Sequence, residues 1–110
     1  MMRLAMSPAA AGLLRSLLNR TGVNRDRILL TGFRSTDWQS LTFTGEQHQI
    51  RLRVPQPNAR EITRKLVNGL GEAEFSIPGH VVADIAVVGD PEGLEDGSFA
   101  IAIEALTVAE

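Results

Sequence analysis

No cysteine occurs anywhere in the sequence. Its absence excludes a disulfide framework, a thiolate metal site and a cysteine nucleophile, and it suits the reducing interior of a cytoplasmic protein. Aromatic residues make up only 5% of the chain, with a single tryptophan, Trp38. Long apolar runs are missing too. The stretch from Leu4 to Leu14 is interrupted by Pro8 and is too short to span a bilayer, so no membrane partner is expected. Arg3 ahead of it imitates a signal peptide. The apolar pattern continues past Arg15 to Leu17 and Leu18, however, and no small-residue cleavage site follows. A Walker loop, a dinucleotide fingerprint, an HExxH pair and a nucleophile elbow are all absent. No cofactor and no bound metal is therefore expected.

Basic residues vanish after Lys65. Residues 1–65 hold all eleven Lys and Arg and four acids, a net +7, whereas residues 66–110 hold nine acids and no base, a net −9. Such asymmetry marks either a nucleic-acid face or two halves that interleave in one sheet and neutralise each other. The sequence pI of about 5.7 and the lack of an aromatic-rich basic run argue against nucleic acid. An accessory role on nucleic acid for the Arg-rich N-terminal half ranks third among the readings.

What is present describes one globular domain over residues 1–110, with 44% hydrophobic and 22% charged residues. Ser7-Pro8 reads as a helix start, with Ser at the N-cap and Pro at the first helical position. Leu13, Leu14, Leu17 and Leu18 follow at helical spacing, and Gly22 is a natural stop. A strand is predicted over 27–34, then turn residues Ser35-Thr36-Asp37. Residues 41–44 and 47–54 predict a hairpin around a two-residue type II′ turn at Gly45-Glu46. That register pairs Phe43 with His48 and Leu41 with Ile50, and every pair agrees in polarity. Beyond Pro55 and Pro57, Asn58 and Glu61 resemble a capping pair for a second helix, with Ile62, Leu66 and Leu70 inside. Strands are predicted over 74–77, 81–88 and 99–108, with an acidic loop over 89–97. The order suggests a doubled αβββ unit. It predicts an α+β two-layer sandwich, an antiparallel sheet of about six strands with two helices on one face.

Three acid–base residues merit attention. His80 follows Pro78-Gly79 at the mouth of a strand, where functional residues often lie, and strict alternation puts Asp84 on its face. Asp84 and Glu104 are each the lone charge within an apolar strand. A register pairing Val88 with Ala100 sets them opposite each other, and paired carboxylates can do acid–base work. A register two residues away would separate them. His48 falls on the apolar face of its strand, which suits packing better than catalysis. Trp38, placed in a loop, and Arg51 and Arg53, on a polar strand face, are candidate contacts for a ligand or partner.

The last two long strands are apolar on both faces. Ile101, Ile103 and Ala105 lie on one side, and Ala100, Ala102, Leu106 and Val108 on the other. An antiparallel sheet with one wet face should alternate, and two helices cover only one side. The leading expectation is a non-catalytic binding or self-association module that forms a homodimer through its second sheet face. The alternative is a small enzyme or small-ligand-binding protein using His80, Asp84 and Glu104.

Overall fold

The computed structural model describes residues 6–110. Arg3 and Leu4, which open the N-terminal apolar stretch, lie outside the described residues. Helix α1 (Pro8–Asn19) begins where expected. The Ser7 Oγ accepts the Ala10 N–H at 3.1 Å and donates to the Glu46 carboxylate at 2.7 Å. One side chain thus caps the helix and ties it to the sheet. Strands β1 (Leu29–Gln39) and β2 (Thr44–Val54) follow, then helix α2 (Ala59–Val67) and strands β3 (His80–Val87), β4 (Glu92–Gly93) and β5 (Phe99–Ala109). The main strands lie in the order β1-β2-β5-β3, β4 pairs with β5, and every pairing is antiparallel.

The architecture is the expected α+β sandwich. The sheet has five strands, with two after α1 and three after α2, so the doubled αβββ pattern is not matched strand for strand. Residues 74–77 contribute no strand, only a bridge between Ile77 and His80.

The β1–β2 hairpin turns elsewhere than the sequence predicts. Its loop is Ser40 to Phe43, closed by the Ser40 N–H on the Phe43 carbonyl at 2.8 Å. The Ser40 Oγ also accepts the Phe43 N–H at 3.1 Å. His48 therefore lies opposite Ser35 on one side and Ala105 on the other, not opposite Phe43. Turn chemistry at 35–37 is overridden because the longer strand gains a ladder running from Leu29–Arg53 to Gln39–Thr44. Gly45 is needed for a different reason from the one assumed. A Cβ there would run into the Thr107 carbonyl oxygen, so the glycine marks close backbone approach rather than a turn. The start of α2 differs as well. Asn58 sits at φ 63° without a side-chain cap bond; the Ala59 N–H is bound by the Gln56 side chain at 3.2 Å, and Glu61 pairs with Arg64 at 2.9 Å.

Alternation along the strands sorts the sheet into two faces. His48, Ile50, Leu52 and Val54 of β2 and Ile101, Ile103, Ala105 and Thr107 of β5 are all buried. Most of them join Leu13 and Leu17 of α1 and Ile62 and Leu66 of α2 in one apolar core. Both helices thus sit on this inner face. Leu66 is fully buried, and truncating it to Ala should cost about 2–5 kcal/mol through lost transfer energy and the cavity left behind. A denaturant titration checks this; a loss below about 0.5 kcal/mol would contradict the assigned helix face.

Candidate functional site

The outer face carries the opposite parity on every strand. Reading across the sheet, its side chains form rows. Trp38, Gly45, Val108 and Val81 make one; Arg34, Gln49, Glu104 and Ala86 make another; Thr36, Gln47, Leu106 and Asp84 lie between them. Arg51 pairs with Ala102, and Arg53 with Ala100, further along. The face is therefore divided. Its β1–β2 half is polar and basic, with Arg34, Arg51 and Arg53. Its β5–β3 half is apolar, with Ala100, Ala102, Leu106, Val108, Val81 and Ala86, and its only charges are the acids Asp84 and Glu104. Asp90 and Glu92 extend the acidic side where the 88–98 connection rims the face.

An apolar cleft of about 360 Å³ opens at one end of this face, lined mainly by Trp38, Phe43, Val81, Ala83, Leu106 and Val108. Trp38 and Val108 reach it from the two sides of Gly45 in one row of the sheet. Leu41 at the hairpin tip is fully exposed and Phe43 is 55% exposed. The three contact candidates read from sequence, Trp38, Arg51 and Arg53, all lie on this face. Trp38 is half-buried in a strand rather than in a loop. Arg53 is partly occupied, with its guanidinium 2.6 Å from Asp96 and 3.1 Å from the Ser98 hydroxyl. Ser98 hydrogen bonds, helped by Arg53, hold the Asp96 carboxyl down at about 2.

The acid–base candidates do not converge. A bulge between Val82 and Asp84 inserts Ala83 without a partner. It reverses the alternation, so His80 and Val82 align with the inner residues Ala109 and Thr107 while Asp84 aligns with the outer Leu106. His80 and Asp84 are therefore on opposite faces. His80 Nδ1 lies 3.0 Å from the Pro78 carbonyl, beside a separate hollow near Glu74, Ser76 and Glu110. Asp84 and Glu104 share the outer face but miss each other by two residues, Glu104 standing opposite Ala86. Both are exposed. Among the described residues no group of three His, Asp or Glu could hold a metal ion.

Sequence reasoning missed one polar chain. His48, 1% exposed, is held at 2.8 Å by the Ser35 hydroxyl on Nδ1 and at 2.8 Å by the Thr107 hydroxyl on Nε2. A neutral imidazole has one donor and one acceptor, and two hydroxyls satisfy both. The space beside it, lined by Ala10, Leu14, Phe33 and Ile50, is about 10 Å³, at the limit for one water. The imidazole is shut off from solvent, and both its nitrogens are taken up by the two hydroxyls. Alternation did place His48 on the inner face; its partners were hidden because Ser35 was assigned to a turn.

No family model matches this chain, and comparison with curated proteins and with solved structures finds no match.

Burial holds the His48 imidazole below its ordinary 6.5; nearby Glu46 opposes this and His80 adds to it. The unfolded chain thus binds the proton more readily than the folded one. Stability should be complete above pH 6.5 and fall as pH drops through 6.5 toward the lower folded value, by at most about 1.4 kcal/mol per pH unit for one proton. Urea midpoints measured across that window check this. The slope should shrink in His48→Gln, and an unchanged slope would assign the loss to other groups.

Proposed function

We propose that this chain is a non-catalytic self-association module that works as a homodimer in the cytoplasm, joined through the outer face of its sheet. The observation that carries this reading is the apolar β5–β3 half of that face. Both helices are committed to the inner face, and the outer apolar residues continue into the cleft beside Trp38. A contiguous apolar patch rimmed by polar residues favours association. The face also has the right size. Three strands of eleven residues and one of eight, at about 4.8 Å between strands and about 3.3 Å per residue, enclose roughly 650 Å², not far from the roughly 800 Å² per partner of a standard interface. The enzyme reading draws little from the geometry, because His80, Asp84 and Glu104 share no pocket. A nucleic-acid role is disfavoured by the acids on the same face as the arginines.

Light scattering coupled to size exclusion tests the dimer. The expected mass is about twice the 11.9 kDa of the chain at micromolar concentration, and Leu106→Arg should return it to the single-chain value with an unchanged circular dichroism spectrum. A single-chain mass for the native protein at every concentration would defeat the proposal.

A further inference from the structure

We infer that the two copies pack face to face about a two-fold axis running parallel to the strands, between β2 and β5, so that the basic half of each outer face covers the acidic, apolar half of the other. This inference rests on the dimer reading and adds its geometry. Face-to-face packing allows two simple axes. An axis across the strands lays β1 on β1, β2 on β2 and β5 on β5. Arg34 and Arg51 would then meet a layer of arginines, and Asp84 and Glu104 a layer of acids, which is unfavourable in a desolvated interface. An axis along the strands lays β1 over the partner's β3 and β2 over the partner's β5, keeping each row level with itself.

The rows then complement one another. Arg34 comes over the partner's Ala86 and Gln49 over the partner's Glu104, with the partner's Asp84 one row away. Arg51 comes over the partner's Ala102, next to the partner's Glu104 row. At the other end Trp38 comes over the partner's Val81, and Gly45 lies in the row of the partner's Val108. One symmetry element thus sets arginines within reach of acids and closes both apolar clefts on each other. The charge segregation along the chain, basic before residue 65 and acidic after it, becomes a segregation across a self-complementary face.

Exposed charges make the test, since reversing them leaves the core untouched. Arg34→Glu with Arg51→Glu should weaken dimerisation about tenfold or more, and Asp84→Lys with Glu104→Lys should do the same, because each sets like charges opposite. Mixing the two double variants should restore association, as both contacts in the mixed dimer are then attractive. About 1 M salt, with a screening length near 3 Å, should shrink these differences. The absence of native cysteine allows a second readout without background. Gln47→Cys and Arg51→Cys lie at different heights on β2, and each should be joined to its own copy, about 11 Å away between Cα atoms, by a short bifunctional thiol reagent, the gap being too wide for a direct disulfide. An axis across the strands brings only one height of β2 against itself. A native dimer whose affinity ignores the charge reversals, or which cross-links at only one of the two cysteines, overturns the axis while leaving the dimer standing. A native monomer removes both.

Discussion

The ladder between β2 and β5 is the constraint on which everything else hangs. It runs unbroken from Gly45–Val108 to Val54–Phe99 and joins residues some fifty positions apart, so it fixes parity for the whole sheet. Once His48, Ile50, Leu52 and Val54 face inward, so must Ile103, Ala105 and Thr107, and the helices have only one face to cover. The same ladder brings the basic first half of the chain against the acidic second half. Gln49 stands beside Glu104 and Arg51 beside Ala102. Charges that are separated along the chain thereby stay separated across the sheet, on either side of the β2–β5 seam, and the chain's net charge of −2 conceals a face with two signs.

The inner face shows how a polar row is tolerated in such a core. His48 occupies a position that an aliphatic residue could fill, and burying it unpaired would be costly. Ser35 from β1 and Thr107 from β5 flank it across three adjacent strands. The row is therefore a register mark as well as a satisfied network. A two-residue slip of either neighbour would leave one imidazole nitrogen unpaired, which apolar side chains on their own would not penalise so sharply.

Much of this was legible in the residues and some was not, for local reasons. Ser7-Pro8 announced α1 because capping chemistry is short-range. The inward face of residues 48–54 and the stripe of Ile62 and Leu66 were legible because periodicity survives in any tertiary context. The hairpin turn was not. Gly45-Glu46 offered a good turn, and the polarity pattern of 41–50 agreed with it, yet a glycine demanded by the Thr107 backbone looks the same in sequence as a glycine demanded by a turn. Ser35 and Asp37 have weak strand preference and Thr36 alone favours a strand, so pairing of 35–37 with residues 46–48 is what holds them extended. The fate of Asp84 was hidden for a different reason. A single bulge at Ala83 moves it to the face opposite His80 and sets it opposite Leu106, with Glu104 two residues away. Nothing in Val-Val-Ala-Asp-Ile announces an extra residue. Site predictions that assume strict alternation fail first at such bulges.

The bulge also bears on how an apolar sheet face stays specific. An open strand pair with Val81, Ala86, Leu106 and Val108 outward could stick to many surfaces, including its own copy in several orientations. Each of β3 and β5 carries one outward charge, and both are acids. Placed on the same apolar half, Asp84 and Glu104 make that half repel itself while leaving it attractive to a basic neighbour. Without the bulge Asp84 would turn inward into the core, where an unpaired carboxylate is costly, and the outer half would lose one of its two charges. In the proposed dimer, therefore, the irregularity at Ala83 and the exposed Arg34 and Arg51 serve one end. Apolar area supplies the attraction, and the placement of sign decides which of the two-fold arrangements it can use.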